Sequence, residues 1–375
     1  MQPSIYRPTV ITVDRQAIRE NFLNERKLLK PNVSMFAVLK ANAYGHGVIE
    51  VAQTLDREGV DGFCVATLDE GLELRNHGFQ EPILVLGITP VEEALIAAKA
   101  DISLTVATLD WLKEADRILP SPVKVHLACD TGMGRIGFLD RDAIVEACDF
   151  INTTNKIDPE GIFTHFSTAD ANDEKSVAHF NEQVATFKEM TRDLPVDFKY
   201  VHCANTATGL WHLSNLGCPT NIVRFGIGLY GLNPSGTAIK ELPYELKPAM
   251  KIESEIVYTK VEPAGKKISY GATYTTHKGE IIATLPIGYA DGWLRRMSGS
   301  EVLIDGKRCP IVGRVCMDQL MVRLPKMYPI GTKVTLMGKN GADQITAEEL
   351  ADYAGTINYE ILCEMSDRVP RKYVN

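Results

Sequence analysis

The sequence predicts an α/β protein with an N-terminal (β/α)8 barrel of the TIM type and a C-terminal β-rich domain. Three observations carry that expectation. Eight short apolar runs recur over the first 230 or so residues, amphipathic stretches of helical period lie between most of them, and beyond about residue 248 the pattern changes to short alternating runs with glycine-rich turns. Strand–helix alternation implies parallel strands with right-handed crossovers. Eight units in about 230 residues match a closed barrel in number and size. The same alternation would also suit an open doubly wound sheet.

A helix-like segment, DRQAIRENFLNERKLL (14–29), precedes the first run. The runs that read as strands are VSMFAVL (33–39), FCVA (63–66), ILVLG (83–87), SLTV (103–106), VKVHLAC (123–129), GIFTHF (161–166), KYVHCA (199–204) and NIVRFGI (221–227). Between them, LDEGLELRNHG, PVEEALIAAKA, LDWLKEADRIL and EKSVAHFNEQVATFKEM repeat apolar residues at helical spacing. Residues 233–248 hold three prolines and no period, so they read as a linker. After it come KIESEIVYTKV, EIIATLPIGYA, EVLIDGKRCPIVGRVC and TKVTLMG, with one helix near AEELADYAG. The expected division is residues 1–240 and 241–375.

Composition narrows the function classes. A chain of 375 residues suggests about two domains. A net charge of −8 argues against nucleic-acid partners. No stretch approaches the roughly 18 apolar residues of a membrane span, and MQPSIYRPTV lacks the basic flank and apolar centre of a signal peptide. The eight cysteines are scattered without C-x-x-C spacing, which fits reduced thiols and a cytoplasmic location. No tight metal-ligand cluster is present in the sequence, so no metal is expected.

Reactive groups fall at the C-terminal ends of the expected strands, where barrel enzymes place their sites. Lys40 follows the first run; Asp130, Thr131 and Arg135 follow the fifth; His165 lies near the end of the sixth; Asn205 and Thr206 follow the seventh; Arg224 and the turn from Gly226 to Gly228 belong to the eighth. Taken alone, Lys40 also suits a surface position at a strand exit. A partly buried lysine, however, can lose its proton and form Schiff bases. RFGIG (224–228) lies where barrels often bind phosphate, and the Asn205–Thr206 turn could share that work through backbone N–H groups. Phosphate with a Schiff-base lysine points to pyridoxal 5'-phosphate, and an arginine is one known partner of its ring nitrogen. GMGRIG (132–137) fits the dinucleotide fingerprint, but its helical pattern starts only near Asp140. A tight loop that brings Arg135 to a ligand is the better reading.

These segments resemble the alanine racemases. AVLKANAYGHG looks like that family's pyridoxal phosphate attachment signature, and DTGMGRIG, GIFTHFSTAD, HCANTAT, NIVRFGIGLYGL, SYGATYT, PIGYADGW, GRVCMDQ and TINYEI resemble family segments in family order. The resemblance implies a barrel that binds the cofactor, a β domain that supplies a second base, a head-to-tail homodimer with shared active sites, and interconversion of L- and D-alanine for peptidoglycan. By position, Lys40 resembles the cofactor lysine and Tyr270 the opposing catalytic tyrosine. Arg224 resembles the ring-nitrogen partner, backed by His202, and His165 the group that hydrogen-bonds the tyrosine. Tyr44, Asn205, Thr206, Gly226, Ile227 and Tyr359 look like the phosphate-binding set. Arg135 and the backbone of Met317 look like contacts to the substrate carboxylate, with Tyr289 at the pocket entrance and Cys316 and Asp318 flanking the carboxylate site.

Racemisation removes a proton from one face of the α-carbon and returns one to the other, so two opposed bases suit it. Burial lowers a lysine pKa but raises that of a tyrosine. Tyr270 therefore needs positive neighbours or hydrogen-bond donors, and His165 is the expected one. One position departs from the family: the lysine that usually precedes the DTGMGR arginine by seven residues, typically carbamylated, is Ala128 here. A buried arginine without an anion is costly, so a bound anion such as chloride is expected beside Ala128, or else water or a nearby side chain; Lys124 lies too far back to substitute. Rival readings are a racemase of serine or another small amino acid, a pyridoxal phosphate-dependent decarboxylase, and a pyridoxal phosphate-binding protein without turnover.

Overall fold

The computed structural model describes residues 2–375. In chain order the first strands are β1 (Val10–Asp14), β2 (Ser34–Val38), β3 (Gly62–Val65), β4 (Ile83–Ile88), β5 (Ser103–Val106), β6 (Val123–Ala128), β7 (Ile157–Phe163), β8 (Tyr200–His202), β9 (Ile222–Phe225) and β10 (Met250–Glu255). The chain forms two compact units. One comprises residues Ile18–Ala43 and Val48–Lys247; the other comprises the segment through Ala17, Tyr44–Gly47 and Pro248–Asn375.

The first unit is the expected barrel. Its eight strands run in the order β8-β7-β6-β5-β4-β3-β2-β9, and every neighbouring pair is parallel. The ends meet where Asn221 N–H donates to Val201 O at 2.8 Å and Arg224 N–H to Ala204 O at 2.9 Å. Asn221 extends the seam with its side chain, whose Oδ1 accepts from Val201 N at 2.9 Å. Phe36, Phe63 and Phe225 fill the barrel with no more than 1 % exposure. Gly62 makes room for one of them: a Cβ there would lie 2.7 Å from the Phe36 ring. The outer helices start on side-chain caps that the sequence supplies. Thr67 and Glu70 form a reciprocal capping box, and Thr108, Asp140 and Asp173 cap the helices Leu109–Ile118, Arg141–Ile151 and Glu174–Met190. Each cap is worth about 1 kcal/mol.

The second unit is β-rich, as expected. Its main sheet contains, in order, Lys307–Pro310, Glu301–Ile304, Lys333–Asn340, β10, β1 and Arg371–Val374. A three-stranded sheet of Tyr258–Glu262, Glu280–Leu285 and Leu320–Leu324 accompanies it, together with the small hairpin Lys267–Ile268/Tyr274–Thr275.

The division differs from the expected 1–240 and 241–375. Chain contacts change hands at Lys247/Pro248, and residues through Ala17 join the β-rich unit. The reason is β1. Ile11 and Val13 are fully buried on one face, and the strand pairs antiparallel with β10 and parallel with Arg371–Val374. Five residues running straight into a helix gave this strand little sequence signal; Asp14 ends it and also accepts from the Gln16 and Ala17 amides of the helix Arg15–Leu28. Among the described residues no helix is long and apolar enough to cross a membrane, and no cluster of His, Cys, Asp or Glu could hold a metal ion.

Candidate active site

Lys40 stands two residues beyond the end of β2, and the chain reverses immediately after it. Ala41, Asn42, Ala43 and Tyr44 all have φ between 52° and 54°, a left-handed turn built without glycine. Such residues cost about 1–2 kcal/mol each. Hydrogen bonds hold the turn: Ala43 N–H donates to Leu39 O at 2.8 Å, Val48 N–H to Asn42 Oδ1 at 2.8 Å, and Ala41 N–H to Glu70 Oε1 at 2.7 Å. The other Glu70 oxygen accepts from Ala66 N at 2.7 Å, so one carboxylate ties the loops after β2 and β3 together. Backbone strain of this kind collects at functional sites because the surroundings must over-determine it.

Arg224 on β9 is the fixed charge of the barrel. Its guanidinium donates to His202 Nδ1 at 2.8 Å, to Thr164 O at 2.9 Å and to His165 Nδ1 at 3.2 Å. Arginine can only donate. The two Nδ1 atoms therefore accept, which leaves the proton of each neutral ring on Nε2. His202 passes the polarity on to His126 Nδ1 at 2.9 Å, and His126 Nε2 donates to Glu160 Oε2 at 3.2 Å, where Ser103 also donates at 2.5 Å. Burial alone would raise the Glu160 carboxyl, but the hydrogen bonds from His126 and Ser103 outweigh it and bring it down to about 2. The result is a directed chain from a buried cation to a buried anion.

His165 is held neutral. Burial, then the charges of Arg224, Arg135 and Lys40, bring its pKa down to about 3. The charges of all three act on this ring. Of the two ways in which His165 was expected to assist a phenol, as a positive neighbour or as a hydrogen-bond donor, a neutral ring leaves the second, through Nε2–H.

The expected phosphate residues in the barrel unit adjoin one another. Thr206 Oγ1 accepts from Gly226 N at 2.9 Å, which ties the loop after β8 to the loop after β9. Asn205 caps the helix Thr206–Trp211, accepting from Thr208 N at 2.9 Å. Its side chain is thus a structural clamp. Ile227 is buried and opens the turn Ile227–Tyr230, whose first amides have no acceptor within the turn.

GMGRIG is a loop, not a nucleotide fingerprint. Asp130 Oδ1 accepts from Gly132 N at 3.0 Å and Gly134 N at 2.9 Å, and no helix begins until Arg141. Arg135 is exposed on this loop. The expectation of a buried arginine that demands an anion is corrected, since a solvated guanidinium carries no such desolvation cost. Ala128 itself is buried, and Lys124 is paired with Asp101 at 2.6 Å.

The β-rich unit carries the remaining residues. Tyr44 and Tyr359 face each other with ring centroids 6.2 Å apart. Tyr270 is 70 % exposed, at the tip of the hairpin Lys267–Ile268/Tyr274–Thr275. Ser269 and Ala272, with φ of 66° and 51°, turn the chain about it, and Ser269 Oγ is anchored on Arg314 O at 2.6 Å. The 3-10 turn Tyr289–Asp291 is sewn to Cys316 and Met317: Tyr289 N–H donates to Cys316 O at 3.0 Å and Ala290 N–H to Met317 O at 3.0 Å. Tyr289 and Met317 are thereby brought together, both substantially exposed. Asp318 beside them is paired with Arg368 at 2.5 Å. Gly288 permits this seam, because a Cβ would lie 2.3 Å from Cys316 O and 2.5 Å from Met317 O. Gly288→Ala is expected to destabilise the unit by about 1–3 kcal/mol, read as a lower urea midpoint; an unchanged midpoint would contradict the packing described.

Sequence reasoning missed His126, Glu160, Ser103 and Glu70. His126 and Ser103 had a signal, since each is a polar residue within a run read as a barrel strand, whereas Glu160 lies one residue before the run GIFTHF. Glu70 had only the capping-box spacing Thr67-x-x-Glu70, which predicts a helix start and not its second grip on Ala41.

Comparison with known proteins finds similarity to amino acid racemases. Residues 13–234 match the profile described as alanine racemase, N-terminal domain, and residues 249–373 that of alanine racemase, C-terminal domain. The chain is 55 % identical over 374 residues to an alanine racemase of Latilactobacillus sakei, covering 98 % of this chain and 97 % of that one. It is 52 % identical to an alanine racemase of Pediococcus pentosaceus, covering 100 % and 98 %. Among solved structures it is similar to alanine racemase from E. faecalis, with TM-score 0.95, 46 % identity and full coverage of both chains. It is also similar to a histidine racemase from Leuconostoc mesenteroides, with TM-score 0.92, 33 % identity and full coverage of both.

Proposed function

This chain belongs to the alanine racemase family, and from that premise we propose that it interconverts L-alanine and D-alanine with pyridoxal 5'-phosphate held through Lys40. The product D-alanine would supply peptidoglycan. The donor set suits the cofactor: the charges of Lys40, Arg135 and Arg224 act on a histidine kept neutral, which favours a ligand carrying phosphate and carboxylate groups. The single observation that carries the reading is Arg224. It is an obligate cation, fixed by His202, His165 and Thr164, and can donate to a ring nitrogen without giving it a proton.

When bound, the cofactor withdraws electrons from the substrate α-carbon and so acidifies its proton. By the family likeness, Thr206, Gly226 and Ile227 would hold the phosphate, as would Tyr44 and Tyr359. Arg135 and the Met317 amide orient the substrate carboxylate, flanked by Cys316 and Asp318. Lys40 Nζ moves a proton at one face of the α-carbon and the Tyr270 phenol at the other. His165 donates from Nε2 and favours the ionised phenol. Arg224 would hold the ring nitrogen by donating a hydrogen bond without transferring its proton.

Exposure of Tyr270 in the single chain suits a phenol that completes the site of a second copy, so the working form is read as a homodimer. The chain is read as cytoplasmic from its scattered, unbridged cysteines. Similarity to a histidine racemase keeps a second amino acid in view, because Tyr289 and Met317 at the entrance set the size accepted. Proton NMR of the cofactor-loaded protein with L-alanine in deuterated water, paired with chiral analysis, tests the reading. Loss of the α-proton signal with formation of D-alanine is expected. Exchange without D-alanine would remove Tyr270 from its role, and turnover of L-histidine or L-serine in preference to alanine would overturn the substrate.

A further inference from the structure

Two thiols that the proposed chemistry does not use lie against one another beside the cofactor loop. Cys203 Sγ and Cys218 Sγ are 3.6 Å apart. Cys203 directly follows His202 at the end of β8 and stands two residues before Asn205. Cys218 lies in the connection that leads into β9. The two segments are already clipped together, since Cys203 N–H donates to Thr220 Oγ1 at 3.4 Å and Thr220 Oγ1 to Ile222 O at 3.1 Å.

We propose that Cys203 and Cys218 form a peroxide-sensitive thiol pair, in which Cys218 is the attacking sulfur and Cys203 the resolving one, closing a reversible disulfide next to the loop that bears Asn205 and Thr206. The division of labour follows from their surroundings. Cys203 is buried, and burial pushes its thiol well above the ordinary range, so it keeps its proton. Cys218 is the less buried of the two, and its thiol is lowered chiefly by its contact with Cys203, then by its backbone hydrogen bond and the charge of Lys188, against the opposing effect of burial. A lowered thiol beside a positive charge is the reactive kind. Cys218 also lines a cavity of about 640 Å³ with Leu216, Gly217 and Thr220, which gives a small oxidant a route to it. Cys64, Cys129, Cys148 and Cys309 are buried, and burial raises each of their thiols.

The chemistry balances with hydrogen peroxide as the oxidant. The Cys218 thiolate attacks one peroxide oxygen, the O–O bond breaks, and sulfenic acid and hydroxide result. Cys203 then attacks the oxidised sulfur, the S–O bond breaks, and its proton leaves with the hydroxyl as water. The sulfurs must close to about 2.05 Å, a movement of about 1.5 Å.

The test is thiol mapping of the cofactor-loaded wild-type protein after hydrogen peroxide, with residual thiols alkylated before digestion and mass spectrometry. A peptide linking Cys203 to Cys218 is expected, and dithiothreitol should abolish it. Cys218→Ser should lose the link while retaining the basal activity. Cys203→Ser should stop at the Cys218 sulfenic acid, trapped by dimedone. Recovery of both thiols alkylated under conditions that oxidise the exposed Cys363 would overturn the proposal, and so would dimedone labelling of Cys203 in place of Cys218. None of these readouts depends on which amino acid the enzyme turns over.

Discussion

Lys40→Ala should lose racemisation by at least about 10³-fold, the scale on which a positioned base and its covalent link act together. Tyr270→Phe should be nearly as severe, but with a different signature. Enantiomers have equal free energies, so the racemisation rates in the two directions must fall together. Proton abstraction carries no such constraint. With Lys40 intact and the phenol gone, the α-proton of D-alanine should still exchange with solvent, while that of L-alanine should not. Equal exchange losses for both enantiomers would contradict the assignment of faces. The exposed hairpin position of Tyr270 adds a further outcome. If each site takes its tyrosine from a second copy, mixed dimers of Lys40→Ala and Tyr270→Phe chains contain one intact site. Equal mixing should then restore about a quarter of the wild-type activity. No recovery would mean that each site is built within one chain.

Glu25→Gln is expected to stabilise the protein at pH 8 by up to about 3 kcal/mol and to do little at pH 5. Glu25 is fully buried in the helix Arg15–Leu28, with Oε2 accepting from the Tyr244 hydroxyl at 2.7 Å. Burial raises its pKa from 4.5 to about 7, against the opposing hydrogen bond from Tyr244. The folded carboxyl thus binds its proton more tightly than the unfolded one. Stability is greatest below the unfolded value and falls as pH rises through the window up to the folded value. Above about pH 7 the native state carries a buried charge that glutamine would not. Urea unfolding at the two pH values reads the difference. An equal effect at both, or destabilisation at pH 8, would show that Glu25 is not a strained carboxylate.

The barrel was legible because each of its strands is a short apolar run closed by a polar or glycine-bearing loop. The groups at its strand ends were legible for the same reason: Lys40, Arg135, His165 and Arg224 are charged or titratable residues at fixed places on a periodic pattern. What escaped was non-local. β1 is half-buried and short, and only a partner far along the chain makes it a strand. The His126–Glu160 link joins neighbouring strands, and its meaning depends on which way each side chain points into the barrel. Tyr270 had no local signal at all; without its likeness to family segments it is a tyrosine in a hairpin. Arg135 ran the other way: the change at Ala128 was weighed as if the guanidinium were buried, and its glycine-rich loop leaves it exposed.

The pairing of β1 with Arg371–Val374 has a consequence for synthesis. Ile11 sits beside Arg371, 360 positions further along the chain. During translation, residues 18–43 and 48–247 can complete their own sheet while Val10–Asp14 still waits for both of its neighbours. Once residues 250–255 emerge, β10 can cover one edge of that strand, but the other edge stays open until Arg371–Val374 is made. That interval is when the nascent protein is most exposed to wrong strand partners, and when a chaperone that shields short apolar edges would matter most.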